Sequence, residues 1–289
     1  MPSENIQWFP GHMAKTRRLI KENLKYVDII IEVLDARIPE SSQNPEIVSL
    51  SDRKPIISVF NKASLADRNV ISEWKRYYSD HQKYCLFTDC ITGYGIKELP
   101  QAVRKILSSK IDRYMEKGMT GRAVRAMVVG IPNVGKSTLI NRLAKAKKAR
   151  AEDRPGVTMT KQWISASDGL ELLDMPGVLW PKFDDKITGE NLALTGAIRD
   201  AILDTESLAV ILCNRLRNLY PELLYARYKL NECTELDSLS DFELFELIGR
   251  RRGFIVSGGE VSLERTAVML LDEFRGAKIG RISLERPRF

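Results

Sequence analysis

Residues 126–138 read Ala-Met-Val-Val-Gly-Ile-Pro-Asn-Val-Gly-Lys-Ser-Thr, and few stretches restrict a fold as tightly. Met127, Val128 and Val129 have the apolar, β-branched character of a buried parallel strand. Gly130 to Ser137 match Gly-x-x-x-x-Gly-Lys-Ser, and Thr138-Leu139-Ile140 open a helix. A strand, a glycine turn and a helix in that order make a phosphate-binding loop. Gly130 and Gly135 let the backbone curl, so that the N–H groups around Val134 converge on phosphate oxygens. The helix N-terminus adds the positive end of its dipole. Lys136 reaches the β- and γ-phosphates, and Ser137 offers a hydroxyl to Mg²⁺.

A guanine nucleotide needs three further contacts, and the chain offers each. Leu170 to Asp174 is a strand running into Asp174-Met175-Pro176-Gly177, an Asp-x-x-Gly signature for the metal and the γ-phosphate. Between the two motifs, Arg154-Pro155-Gly156-Val157-Thr158 presents Thr158 as the residue that closes over the metal, with Thr160 as a rival. Nothing after Gly177 matches a base reader of the form Asn-Lys-x-Asp. Upstream, Ile56 to Phe60 is a strand ending in Asn61-Lys62-Ala63-Ser64. A second strand-like run, Tyr84 to Thr88, ends in Asp89-Cys90-Ile91-Thr92-Gly93, which is similar to the Ser-Ala-x-x-Gly loop that packs on the base. The motifs therefore run base reader, base loop, phosphate loop, switch I, switch II, a circular permutation of the usual order.

With that order on the page, the chain resembles the circularly permuted ribosome-assembly GTPases of the ribosome biogenesis GTPase A (RbgA/YlqF) family. The resemblance covers nearly the whole chain. It includes Trp8-Phe9-Pro10-Gly11-His12-Met13, Asp35-Ala36-Arg37-Ile38-Pro39, Asp174 to Pro181 and Ser257-Gly258-Gly259. It implies a doubly wound α/β, circularly permuted P-loop GTPase domain over residues 1–181 and a small all-helical RNA-binding domain over 182–289. It implies GTP hydrolysis in late assembly of the large (50S) subunit, with the subunit precursor and its rRNA as partners and GTP/GDP and Mg²⁺ as ligands. The alternatives are another RNA- or translation-associated GTPase, or a P-loop phosphotransferase. The latter calls for an acceptor lid and no large basic face.

The resemblance also implies residue roles. Ras-type enzymes orient water with a Gln after Asp-x-x-Gly; here Val178-Leu179 follow, and His12 is the family's candidate instead. Asn133 matches the residue that helps bind K⁺ beside the phosphates. Ser64 departs from the pattern, since the family has an aspartate there to accept two bonds from guanine. Loss of such a charge-assisted pair costs ~1.5–3 kcal/mol, and Asp67, three residues on, is a substitute carboxylate.

Charge supports a polyanion partner. The chain carries +7, yet residues 97–161 alone carry 16 Lys/Arg against 5 Asp/Glu. Lys145, Lys147, Lys148, Arg150 and Arg154 lead straight into switch I, a pattern suited to RNA. There is no apolar run long enough to span a bilayer, and the N-terminus has no apolar signal core. Cys85, Cys90, Cys213 and Cys233 form no CxxC pair, and with only His12 and His81 a zinc site is not expected. The reading is a cytoplasmic monomer with reduced cysteines.

Periodicity then gives the elements. A basic helix is expected over Thr16–Asn23, a buried strand over Val27–Leu34, and helices over Val70–Asp80 and Ile96–Tyr114. After Pro181, helices are expected over Asn191–Leu203, Glu206–Leu219, Asp241–Arg250 and Ser262–Arg275. Ser240 with Glu243 spells a capping box, and Ser262 is read as a cap. Arg250-Arg251-Arg252, Lys278, Arg281, Arg286 and Arg288 are read as exposed positive charge leading into an extended tail.

Overall fold

The computed structural model describes residues 10–51, 53–119, 121–144, 163–180, 183, 185–230 and 236–288, with side chains from residue 14 onward. Switch I, including Thr158 and Thr160, the basic stretch 145–150 and Cys233 lie outside these residues.

The first part of the chain runs α1 (Pro10–Leu24), β1 (Ile29–Asp35), α2 (Pro45–Leu50), β2 (Ile56–Asn61), α3 (Arg68–Asp80), β3 (Tyr84–Phe87), α4 (Leu99–Ile106) and α5 (Ser108–Glu116). It continues with β4 (Val124–Gly130), α6 (Lys136–Leu143), β5 (Trp163–Ser165) and β6 (Leu170–Asp174). The strands form one six-stranded sheet in the order β3-β2-β1-β4-β6-β5. All pairs are parallel except β5 with β6. The continuous Ile29-Ile30-Ile31 run suits a strand covered on both faces, and all seven residues of β1 are buried.

The chain winds outward from β1 to β3, returns across the sheet to β4, and proceeds the other way. The switch point lies between β1 and β4, where open α/β sheets leave a ligand crevice. Register places Asp35 beside Asn61, Val33 beside Gly130, and Val128 beside Asp174. Motifs scattered over more than a hundred residues of sequence thus end along one edge.

The helical half holds α7 (Lys186–Leu194), α8 (Thr205–Leu219), α9 (Pro221–Tyr228), α10 (Asp241–Arg251) and α11 (Leu263–Arg275). Leu212, Leu216, Leu244, Phe245, Leu270 and Phe274 are all buried where α8, α10 and α11 meet. Its core runs without a break into that of the sheet through Leu179 and Trp180, whose ring meets Phe183 edge-on at 5.3 Å.

Several expected boundaries shift. The first helix begins at Pro10, not Thr16, as befits proline at a first helical position. It packs Ile20 and Leu24 against Ile30, Met127 and Leu173 of the sheet. The expected single helix 96–114 is a short 3₁₀ turn (Ile96–Glu98), α4 and α5, broken at Leu107 where Ser108-Ser109 favour a new start. The expected helix 191–203 ends at Leu194 and begins earlier, at Lys186, under an Asp185 cap. Gly196 takes φ 78° and lets Ala197 N–H reach Leu192 O at 2.9 Å, a helix-ending turn. The Ser240–Glu243 capping box forms as read. Ser262 stands at the cap position of α11, but its side chain makes no capping bond.

Candidate nucleotide-binding site

The side chain of Asn61, at the end of β2, joins three loops. Its Nδ2 donates to Val134 O of the phosphate loop at 2.8 Å, and its Oδ1 accepts from Cys90 N–H of the base loop at 3.0 Å. From α6, Arg142 donates to the Cys90 and Ile91 carbonyls at 3.0 and 2.8 Å. Base reader, base loop and phosphate loop are therefore one hydrogen-bonded body. Gly135 makes the close approach possible. Its φ is 101°, and a Cβ there would fall 2.3 Å from Asn61 Nδ2.

Lys136 opens α6 and is almost fully buried, with Nζ donating to Ile131 O at 2.9 Å. Burial pushes its pKa down to about 8, against a smaller opposing pull from Asp174. An ammonium turned back on its own loop can re-aim at phosphate with little reorganisation. Ser137 Oγ lies 3.5 Å from Asp174 Oδ2. Burial raises the Asp174 pKa, while Lys136 and Ser137 oppose the rise. These hard oxygen donors on two adjoining motifs suit Mg²⁺ held jointly with phosphates. No cluster of three His, Cys, Asp or Glu exists among the described residues. Gly177 lies against the phosphate loop, since a Cβ there would sit 2.7 Å from Lys136 Nζ and 3.0 Å from Pro132 Cα. Val178 N–H then donates to Gly130 O at 3.3 Å. Thr138 is exposed on the first turn of α6.

Comparison with known proteins matches this arrangement to named relatives. Ribosome biogenesis GTPase A of Priestia megaterium is 49% identical over 98% of this chain and 97% of its own length. The chain belongs to the ribosome biogenesis GTPase A family. The same-named protein of Bacillus cereus is 45% identical over 98% of this chain and 94% of its own length. The GNP-bound crystal structure of YlqF from T. maritima superposes with TM-score 0.62 at 26% identity, covering 95% of this chain and 99% of that one. The GDP-bound YlqF structure gives 0.65 at 27%, covering 93% and 99%. The family model described as 50S ribosome-binding GTPase matches residues 125–228. That match takes in the phosphate loop and switch II and leaves the base-reading loops, which come earlier in the permuted chain, outside it. This ribosome biogenesis GTPase A family member is a GTPase, and its nucleotide is a guanine nucleotide.

Within that site, Asp67, Ser64 and Asn133 take partners that the chain order does not give. Asp67 is no substitute base reader. It caps α3 through Asn69 N–H at 2.8 Å and accepts the Tyr220 hydroxyl at 3.1 Å. The Ser64 hydroxyl instead donates to Asp89. Asn133, with φ 56°, donates from Nδ2 to Gly196 O in the helical half. His12 lies on the first turn of α1 and its side chain is outside the description.

Periodicity could not find the groups that hold this GTPase's loops from behind. Asp35 is buried, with Arg37 bidentate on its carboxylate at 2.9 and 2.8 Å and Lys62 Nζ at 3.0 Å. Those two cations hold its pKa far below the usual range despite burial. Asp35 therefore fixes Lys62, which itself sits at φ 61°. Two of the C-terminal arginines are not free charge either. Arg281 donates to the Ala63 and Ala66 carbonyls at 2.7 Å each, and Arg286 pairs with Glu73 at 2.6 Å. Glu285 accepts from the Glu40 and Ser41 N–H groups and from Asn191 Nδ2 at 3.0 Å. The tail thus runs back over the base-reading side of the GTPase domain. Within the arginine triplet, Arg252 turns inward onto Glu273 at 3.1 Å, leaving Arg250 and Arg251 exposed.

Proposed function

We propose that this GTPase acts in late assembly of the large ribosomal subunit, binding the precursor particle and its rRNA with GTP and leaving after hydrolysis to GDP and phosphate. One observation carries the reading. A single hydrogen-bonded nucleotide site passes, within a few residues of switch II, into a helical unit whose core is continuous with its own. A γ-phosphate that orders Gly177 then acts directly on the element offered to the particle. The named relatives support the ribosomal partner, and the basic bias of residues 97–161 supports contact with RNA. Residues 182–289 are assigned to rRNA binding, and the protein is assigned to the cytoplasm as a monomer.

In the hydrolysis step, water attacks the γ-phosphorus as the bond to the β-phosphate oxygen breaks. Lys136 neutralises charge building on the phosphates. Ser137, Asp174 and Thr158 are the residues assigned to Mg²⁺, which supplies charge neutralisation when bound. Asn61, Lys62, Ser64, Asp89 and Cys90 form the base side. Asn133 keeps Oδ1 available for K⁺ while Nδ2 holds Gly196. Val178 and Leu179 cannot orient water, so the role falls to His12, brought in when the particle presses the N-terminal segment inward. Unstimulated turnover is then slow, on the order of 10⁻⁴ s⁻¹ as for Ras alone.

Co-sedimentation with large-subunit precursors and phosphate release, measured in parallel, test this. GTP should raise particle binding over GDP. His12→Ala should stay on the particle with GTP and lose stimulated hydrolysis. Nucleotide-independent binding would remove the coupling, and normal stimulated turnover by the variant would remove His12.

A further inference from the structure

Ser64 stands where a carboxylate is expected to read guanine, and Asp89 stands in the neighbouring loop where a serine is expected. The two side chains meet, with Ser64 Oγ–H donating to Asp89 Oδ2. Ser64 N–H reaches the same oxygen at 3.3 Å. The other carboxylate oxygen accepts from Ile91 and Thr92 N–H, each at 2.8 Å. Asp89 is 2% exposed and its oxygens are taken by four donors, so it is not itself open to a base. Ser64 is only half buried.

We propose that Asp89 is a positioning residue for guanine recognition: by taking the Ser64 proton, it leaves the Ser64 hydroxyl oxygen able only to accept from the base. The inference rests on the reading that the Asn61–Ser64 loop meets the base. A hydroxyl has one donor and two acceptor positions, whereas an ionised carboxylate only accepts. With its one proton directed at Asp89, Ser64 has nothing left to donate. Guanine presents N1–H and N2–H to such an acceptor. Adenine presents an acceptor at N1, and xanthine presents one at its 2-oxo group. An unconstrained serine would suit any of these by rotating its hydroxyl. Donation to an anion also makes the oxygen a better acceptor. The Ser64–Asp89 pair therefore restores the discrimination that Ser64 alone lacks, with the charge moved one loop away. The Asp89 carboxyl is held in its ionised form: burial opposes this, but the Ser64 hydroxyl and the Thr92, Ile91 and Ser64 amides outweigh it.

The test is binding of GDP and XDP to the full chain. Asp89→Asn keeps an oxygen for the Ile91 and Thr92 amides but turns an NH₂ toward Ser64, freeing its hydroxyl to donate. GDP should weaken by about 10- to 100-fold while XDP tightens, so the XDP/GDP ratio moves toward xanthine. Ser64→Ala should lose GDP affinity without gaining XDP, and adding Asp89→Asn to it should change little. Ser64→Asp alone sets two carboxylates together and should bind GDP poorly, whereas Ser64→Asp with Asp89→Ser should recover it, even if Asp89→Asn proves unstable. Equal loss of GDP and XDP in Asp89→Asn, or additivity with Ser64→Ala, overturns the relay. Unchanged GDP affinity in Ser64→Ala overturns it too, and with it the reading that this loop meets the base.

Discussion

The Asn133 side chain donates from Nδ2 to the backbone carbonyl of Gly196 at 2.8 Å. One residue belongs to the phosphate loop and the other to the turn that ends α7, so the nucleotide site touches the helical half at a point separate from switch II. The same turn is held from the far side by Arg275, which donates to the Leu194 and Ala193 carbonyls at 3.0 Å each.

With Nδ2 committed, Asn133 offers only Oδ1 to an ion at the phosphates. GTP hydrolysis should run faster in KCl than in NaCl at matched ionic strength. The gain should be on the order of tenfold or more, because a cation bound there would stand in for an arginine finger worth about 10³–10⁵. Asn133→Ala should erase the difference between the salts. Equal rates in the parent protein would remove K⁺ from the site.

Lys136 gives nucleotide affinity a pH dependence of definite sign. Burial lowers its pKa to about 8. A bound phosphate favours the charged form, so binding takes up a proton at and above that pH. Affinity for GDP should be full below pH 8 and fall by up to about tenfold per unit above it. Calorimetric titrations from pH 7 to 9.5 measure this. Lys136→Ala should bind weakly with a flat profile and hydrolyse no GTP.

Gly135→Ala tests the joint between loops. The new Cβ would fall on Asn61 Nδ2, and φ of 101° is hostile to alanine. Strain of about 1–3 kcal/mol is expected, with the Asn61 bonds to Val134 and Cys90 displaced. A lower melting temperature together with loss of GDP binding is the expected result; unchanged binding would show that Asn61 does not organise the site.

Glu32 is the clearest pH switch on stability. It is fully buried on β1, and desolvation raises its pKa to about 7, offset only in part by Asn44 N–H and the Gln43 side chain. The folded protein therefore holds the proton more tightly than the unfolded chain. This contribution is complete below the unfolded value near 4.5 and is lost as pH rises through about 7. Glu32→Gln should be more stable than the parent at pH 8 by about 2–3 kcal/mol and nearly equal to it at pH 5. Denaturant melts at the two pH values decide it, and a constant difference would refute the assignment.

Much of the fold was legible because its signals are local. The Ile29–Ile31 run, the Gly130–Ser137 turn and the Ser240–Glu243 box each act over a few residues, through strand burial, backbone freedom or capping. The permuted motif order was legible for the same reason, since each motif is a short string whose position can be read directly. Boundaries near Leu107 and Leu194 were missed because apolar spacing continues across breaks that Ser108 and Gly196 enforce. The α9 helix was missed although Pro221 marks its start.

By itself, then, the amino-acid sequence determined the doubly wound class, the phosphate loop, the permuted order of the motifs and the family. Those rest on residue types at fixed short spacings. Only the tertiary structure decided that Asn61 bridges to Val134 and Cys90, that Asp35 holds Lys62, that Asp89 rather than Asp67 answers Ser64, and that Arg281 and Glu285 clasp the GTPase domain instead of facing solvent. The physical reason is range. These are pairings between side chains and backbone groups that the chain order does not predict, made when the sheet brings strand ends to one edge and the tail returns to it, and a side chain's partner is set by that geometry and not by its neighbours in sequence.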